Sequence, residues 1–219
     1  MKNIIYISAL FVLLLQISCN KDDEEDVINQ DINLTLLYEE DFTSGIHKVF
    51  NQNNWAGFFT DTGVTYGNTN TPTPGIIGYY SMSRLQTPDN STYGASITFR
   101  FMPTTGTGSF GLVFTKDANN NGGTAIMVTK SGYASIYDSR GDQNFLTRLG
   151  SGGLFYVGHL MDGDEDITLL MGVNDKYIAY YVNGHKVYEH VSFNPNGRYC
   201  GFYSYPYVSV NVKRFRTYD

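Results

Sequence analysis

Apolar and polar residues alternate along most of the chain from Leu34 to its last residue, Asp219. In residues 93–102, Tyr, Ala, Ile and Phe occupy every second position, and Gly, Ser, Thr and Arg lie between them. A period of two is the pattern of a β-strand with one buried face. The same spacing returns at Phe110, Leu112 and Phe114, and similar runs recur about every 8 to 12 residues. No segment of this region has the helical period, so the sequence predicts an all-β protein.

Two details of the pattern predict local structure. Residues 166–190 form three apolar runs, and the last two are separated by Asn183-Gly184. Asn-Gly suits a two-residue hairpin in which both turn positions need positive φ, so this region predicts a three-stranded meander. Near the carboxyl end Val208, Val210 and Val212 alternate, but Phe215 falls out of phase. An extra residue near Lys213, a β-bulge, would explain the change.

The number of strands limits the architecture. A dozen or more strands must each bury one face, and with no helices to cover them two sheets pack face to face. The sequence therefore predicts one domain over residues 34–219, a two-sheet antiparallel β-sandwich or jelly roll. Its first strand, residues 36–42, and its last, residues 208–217, are expected to be adjacent or nearby edge strands.

Residues 1–18 have the organisation of a signal peptide. Lys2 precedes an apolar run of about 14 residues, which is too short to cross a bilayer as a helix. Ser18-Cys19 at the end of this run resembles the lipobox of bacterial lipoproteins. The resemblance implies cleavage before Cys19 and acylation of its thiol, which would attach the protein to a membrane. The alternative is an ordinary signal peptide followed by an unmodified cysteine.

Residues 19–33 read as a flexible tether. Five consecutive acidic residues, 22–26, repel one another and offer nothing apolar to bury. The acidic run resembles the export signal that sends lipoproteins of the Bacteroidetes to the exterior face of the outer membrane, and this is the location we expect. A spacer without an address is the alternative.

Charge and cysteine content argue against nucleic-acid binding and against a reactive cysteine. From Leu34 onward the chain has 13 Lys and Arg residues and 15 Asp and Glu residues. Their formal charge is −2, compared with −6 for the whole chain. A nearly neutral domain argues against nucleic acid as a partner. Acylation of Cys19 would leave Cys200 without a disulfide partner, and its aromatic neighbours predict a buried, inert thiol.

The order of the strands and loops resembles a known type of module. Residues 110–114 (FGLVF), 117–121 (DANNN), 130–133 (KSGY), 180–184 (YYVNG) and 197–202 (GRYCGF) are followed by a valine-rich closing strand. This series is similar to the laminin-G-like and concanavalin A-like sandwich modules of bacterial surface proteins. The resemblance covers residues 34–219. It implies a jelly roll whose concave face or loop rim binds glycans, and some relatives hydrolyse glycosides.

The aromatic and amide residues suggest where a sugar could bind. Sugars present apolar C–H faces ringed by hydroxyl groups, so a site needs aromatic rings beside amides and carboxylates. We predict ligand contacts from Trp55, Asp61, Tyr66, Asn68, Asn70, Asp117, Asn119 and Asn121. The alternative is that Trp55 and most of the 18 tyrosines pack in the core.

Catalytic and metal-binding motifs are weak. Asp162, Asp164 and Asp166 have the spacing of a calcium loop, but the Gly and Glu that complete an EF-hand are missing. A calcium ion held with help from other loops remains an alternative to a solvated turn, and no other cofactor is predicted. The chain lacks the Glu-x-Asp-x-Glu strand of the hydrolases that share this fold, and Glu39 and Asp41 are followed by Thr43.

These observations favour a surface-tethered, non-catalytic module that binds a glycan or polysaccharide. The alternatives are a glycoside hydrolase of the concanavalin A-like fold and a structural or protein-binding component of the envelope. No protein partner can be named from the sequence.

Overall fold

The computed structural model describes the domain in segments. They are residues 34–43, 56–60, 63–68, 75–81, 92–115, 123–138, 147–148, 153–161, 165–174, 177–191, 199–205 and 207–219. For residues 56–60, 63–68, 75–81, 147–148 and 199 only the backbone is described. The predicted signal peptide and the predicted tether therefore lie outside the described residues.

Nearly all of the described backbone is extended. The described segments contain fifteen strands, β1 (Leu36–Asp41), β2 (Ala56–Thr60), β3 (Gly63–Asn68), β4 (Gly75–Ser81), β5 (Thr92–Phe101), β6 (Ser109–Thr115), β7 (Gly123–Thr129), β8 (Tyr133–Asp138), β9 (Thr147–Arg148), β10 (Leu154–Tyr156), β11 (Ile167–Asn174), β12 (Tyr177–Val182), β13 (His185–Val191), β14 (Tyr199–Ser204) and β15 (Val208–Tyr218). The one helix among the described residues is a 3-10 turn at Gly158–Leu160. The prediction of an all-β protein is confirmed.

The strands form two antiparallel sheets. Sheet A has the order β13-β12-β11-β5-β15-β3-β2, and β1 also pairs with β15. Sheet B has the order β10-β8-β7-β6-β14-β4, and β9 also pairs with β8. Neighbours that are distant in the sequence, such as β5 and β15, make this a jelly-roll sandwich, as predicted.

The core lies between the two sheets and consists of the alternating residues that the sequence singled out. Ile97 and Phe99 of β5 and Phe110 and Leu112 of β6 are completely buried. The rings of Phe99 and Phe110 come from different sheets and lie edge to face, with centroids 4.8 Å apart. Burying these side chains supplies the main stabilising free energy of the fold.

The predicted turn and bulge are both present. Asn183 and Gly184 have φ angles of 47° and 78°, and they join β12 to β13 in the meander. The pairing of β15 with β5 shifts register between Val212 and Arg214, so Lys213 is the extra residue. β1 pairs with β15, so the first and last strands are adjacent. The prediction that both are edge strands is wrong for β15, because this strand also pairs with β5 and β3 inside sheet A.

Candidate functional site

The outer face of sheet B carries exposed tyrosines. In β8, Ala134 and Ile136 point into the core, whereas Tyr133, Ser135 and Tyr137 alternate with them and point away from it. Since successive side chains of a strand point to opposite faces, the two tyrosines share the outer face of the sheet.

The most exposed part of this face is a pair of tyrosines. Tyr133 of β8 and Tyr156 of β10 are direct partners across the two strands. Their ring centroids are 5.4 Å apart at an interplanar angle of 66°, and the residues are 48% and 58% exposed. We call this pair the outer platform. Two large exposed rings in contact form an apolar surface that a ligand can cover.

Two glycines set the position of the Tyr156 ring. Gly132 has a φ of +83°, and a Cβ there would lie 2.6 Å from the Cα of Gly158. A Cβ at Gly158 would overlap the hydroxyl end of the Tyr156 ring. The Val157 amide donates a hydrogen bond to the Gly132 carbonyl oxygen at 2.8 Å, which holds the two turns together. The ring therefore packs on the backbone where side chains are absent.

A small pocket lies beside the outer platform. It has a volume of about 120 Å³. Its lining consists of Phe101, Lys130, Ser131, Gly132, Tyr156, Gly158, Met161 and Ile167. The Lys130 ammonium group donates to the Met102 carbonyl oxygen at 3.3 Å, and the Ser131 and Thr129 hydroxyl groups share a hydrogen bond of 3.0 Å. The pocket thus places one cation, Lys130, and the Ser131 hydroxyl group next to an aromatic surface.

A second group of tyrosines lies farther along the same face. The rings of Tyr137 and Tyr205 have centroids 5.9 Å apart, and Tyr203 contacts Tyr205 edge to face at 5.8 Å. All three residues are half-buried. Burial and the nearby Tyr137 raise the pKa of Tyr203, against a hydrogen bond with Tyr205 that lowers it. We call these three residues the inner platform.

The contact between Tyr137 and Tyr205 shows which strands of sheet B lie beneath the inner platform. Tyr137 is in β8 and Tyr205 directly follows β14, and β7 and β6 lie between those strands. The two rings can meet only by leaning toward each other over β7 and β6. Val113 and Met127, which point outward from those two strands, are completely buried. The inner platform therefore extends from β8 to β14 across β7 and β6.

A buried polar network lies beneath the inner platform. The Thr124 hydroxyl group donates to the Tyr137 carbonyl oxygen at 2.7 Å and shares a hydrogen bond of 2.5 Å with the Tyr180 hydroxyl group. Tyr180 is also 2.9 Å from the His190 Nε2 atom. The completely buried Asp138 has a carboxylate oxygen 3.9 Å from the His190 Nδ1 atom. These contacts join sheet A to the end of β8.

The outer face of sheet A differs from that of sheet B. The Arg216 side chain donates to the Glu39 carboxylate at 2.5 Å, and Thr98 and Thr168 share a hydrogen bond of 3.0 Å. A second apolar cluster there includes Leu170, Tyr181 and Tyr218. Several polar side chains of this face are thus paired with one another, and we consider it a weaker candidate than sheet B.

Most of the residues predicted to bind a ligand fall outside the described residues. These are Trp55, Asp61, Asn70, Asp117, Asn119 and Asn121, together with the predicted lipidation site Cys19. The backbones of Tyr66 and Asn68 lie in β3 of sheet A, and their side chains are not described. The structure leaves these predictions untested. The five tyrosines of the two platforms were not among the predicted contacts, although the alternation in β8 already places Tyr133 and Tyr137 on one face.

Of the three predicted calcium ligands only Asp166 is described. Its two carboxylate oxygens accept from the Arg100 Nε atom at 2.9 Å and the Lys213 Nζ atom at 2.5 Å. Asp162 and Asp164 lie outside the described residues. Within the segments that can be described, no three His, Cys, Asp or Glu side chains are grouped as metal ligands would be.

The described part of the chain also contains no helix of the length and apolar character needed to span a membrane.

Comparison with known proteins identifies the fold but no family. No protein-family model matches the chain, and no curated protein matches its sequence. A Bacillus subtilis protein of unknown function with a galectin-like fold superposes with a TM-score of 0.56 at 12% identity, over 84% of this chain and 97% of that one. The fold is a galectin-like jelly roll. The carbohydrate binding module CBM66 from Bacillus subtilis superposes with a TM-score of 0.54 at 10% identity, over 84% of this chain and 98% of that one. The GH43 BlXynB protein from Bacillus licheniformis has a TM-score of 0.54 at 11% identity, over 82% of this chain but only 39% of that protein.

Proposed function

We propose that this jelly roll is a non-catalytic module that binds a glycan on the outer face of sheet B. The observation that carries the proposal is the outer platform, in which Tyr133 and Tyr156 are 48% and 58% exposed and held in mutual contact. Rings in this arrangement can stack on the C–H face of a sugar. The adjacent pocket offers Lys130 and Ser131 for the hydroxyl groups at the sugar's edge.

The preorganisation of the site supports binding. The glycine turns give the Tyr156 ring a backbone surface to pack on, and the cross-strand pairing places Tyr133 beside it. Side chains that are already ordered lose little conformational entropy when a ligand arrives, so more of the contact energy appears as affinity. The likeness in fold to a carbohydrate binding module agrees with this proposal.

A binding panel with matched variants tests the proposal. The purified protein would be run in affinity gels containing glucans, xylans, arabinans, fructans or mucin-type glycans. We expect retention by at least one of them and a loss of roughly tenfold or more in affinity for Tyr156→Ala. Tyr177→Ala removes a ring that is 47% exposed on sheet A and serves as the control that should bind normally. Failure of every glycan to retain the protein would refute the proposal, as would unchanged binding by Tyr156→Ala.

We further propose that the module is carried on the exterior face of the outer membrane by acyl chains on Cys19. The support is in the sequence, where an apolar run ends at Ser18-Cys19 and five acids follow at residues 22–26. One acyl chain gives only marginal binding to a membrane, so a lipoprotein anchor with several chains would be needed for stable attachment. The acidic tether would hold the module away from the lipid surface.

Two variants test membrane attachment through Cys19 and export to the cell surface separately. Mass spectrometry of the mature amino end should find an acylated Cys19, and Cys19→Ser should release the protein from membranes. Replacing the five acids by Ser should keep the acylation and abolish digestion of the protein by protease added to whole cells. An unmodified Cys19 would exclude the anchor, and unchanged protease sensitivity would exclude the acidic run as the address.

A further inference from the structure

We infer that the ligand is an extended sugar chain that contacts both aromatic platforms at once. The inference rests on the proposed function, because it takes the outer face of sheet B as the binding surface. It adds the size of the ligand and the direction in which it lies, along β8 from Tyr133 to Tyr137.

The distance between the platforms carries the argument. Tyr133 and Tyr137 are four residues apart on one strand and point to the same face. A strand rises about 3.3 Å per residue, so their Cα atoms are about 13 Å apart. At this spacing we expect a sugar ring that stacks on Tyr133 to leave Tyr137 for a second sugar ring. A monosaccharide or a small disaccharide would therefore use only part of the aromatic surface.

The surface between the platforms suits a sugar chain. Ser135 points outward midway between the two tyrosines, and its cross-strand partner is Leu154, which is 40% exposed. A hydroxyl group beside an exposed aliphatic side chain matches a ligand that alternates hydroxyl groups with C–H surface.

The inner platform is built as a second contact site. Tyr203 and Tyr205 share a hydrogen bond, and Tyr205 packs on Tyr137 at 5.9 Å, so the three rings hold one another in place. They are half-buried rather than closed off from solvent. One sugar chain can bind both platforms of the protein at once. Once it has bound the first platform, its free part is held at a high effective concentration near the second, so the two contacts reinforce each other.

An oligosaccharide length series tests the inference. From the polysaccharide that retains the protein best, the mono- to hexasaccharides would be prepared and their Kd values measured by calorimetry. We expect the hexasaccharide to bind more tightly than the disaccharide by a factor on the order of ten or more. Tyr205→Ala should remove this gain and leave the disaccharide unaffected, whereas Tyr156→Ala should weaken both.

The controls separate this inference from the proposed function. Tyr205→Phe keeps the ring and should retain most of the gain, and thermal unfolding checks that each variant is folded. If Tyr205→Ala does not fold, the length series on the unaltered protein still decides the question. Equal affinity for the disaccharide and the hexasaccharide, or an unchanged hexasaccharide affinity in folded Tyr205→Ala, would overturn the two-platform site alone. Unchanged binding of every length by Tyr156→Ala would overturn the proposed function itself.

Discussion

Tyr180 and His190 are stacked with their ring planes 4° apart and their centroids at 5.6 Å, and a hydrogen bond of 2.9 Å joins the Tyr180 hydroxyl group to the His190 Nε2 atom. They belong to neighbouring strands of sheet A. The same hydroxyl group reaches Thr124 of sheet B at 2.5 Å. One buried phenol therefore connects the two sheets at the place where β8 carries Tyr137 outward.

The first prediction follows from this hydroxyl group. Tyr180→Phe keeps the ring but leaves Thr124 and His190 without their shared partner in a buried setting. An unsatisfied buried polar group costs about 1 to 3 kcal/mol, so we expect the free energy of unfolding in urea to fall by about this amount. Tyr133→Phe, which removes an exposed hydroxyl group, is the control and should change it by less than about 0.5 kcal/mol. Equal values for the two variants would show that the hydroxyl group does not stabilise the fold.

The second prediction concerns alkaline pH. Burial raises the pKa of Tyr180 well above its usual value of 10.0, helped by the neighbouring Asp138 and Tyr188 and opposed by the hydrogen bond with Thr124. The folded state therefore holds this proton more tightly than the unfolded chain does. The resulting stabilisation is complete below pH about 10 and is lost as the pH rises above the unfolded value. Urea unfolding at pH about 8 and about 11 should show a larger loss of stability for the unaltered protein than for Tyr180→Phe, and an equal loss would contradict the assignment.

The third prediction concerns the thiol of Cys200. This side chain is completely buried in the core, and burial raises its pKa, so little thiolate forms. Iodoacetamide at pH about 8 should leave Cys200 unmodified in the folded protein and alkylate it readily in urea, as read by mass spectrometry of the peptide that contains it. Rapid alkylation without denaturant would mean that this part of the core opens frequently.

The sequence predicted the local structure well because the local signals agree with the fold. The alternation in β5 marks the same core face that the structure buries, and Asn183-Gly184 adopts the two positive φ angles that a tight hairpin needs. The register shift at Lys213 could also be predicted, because one extra residue moves Phe215 back to the core face.

The site could not be predicted in the same way because it depends on strand order. The contact between Tyr137 and Tyr205 requires that β7, β6 and β14 follow β8 in the sheet, and β14 is more than 60 residues away from β8 in the chain. Pairing over such distances is not encoded in any short pattern. The packing of the Tyr156 ring likewise depends on two glycines, Gly132 and Gly158. Their turns come together only after β8 and β10 have paired.

The fourth prediction concerns metal ions. Each carboxylate oxygen of Asp166 is bound to a cation, Arg100 at 2.9 Å and Lys213 at 2.5 Å, so a calcium ion there would have to displace both. We expect glycan binding and the unfolding temperature to be the same in EDTA and in millimolar calcium. Asp166→Asn should cost less than about 1 kcal/mol, because the pair with Arg100 is partly exposed to water. A calcium-dependent rise in the unfolding temperature that disappears in Asp166→Asn would establish the metal site instead.

The fifth prediction tests whether the orientation of Tyr156 matters for binding. The Cβ of Gly158→Ala would overlap the hydroxyl end of this ring, and because the ring is exposed it can move aside. We expect the unfolding temperature to change little. The affinity for the polysaccharide that retains the protein should fall several-fold, nearly as in Tyr156→Ala. Gly111→Ala is the contrasting variant, because its Cβ would meet the backbone of Ile126, which cannot move aside, and it should destabilise the fold. Unchanged affinity of Gly158→Ala for the polysaccharide, with the Tyr156 ring displaced, would show that the position of this ring does not contribute to recognition. That result would refute the preorganised platform.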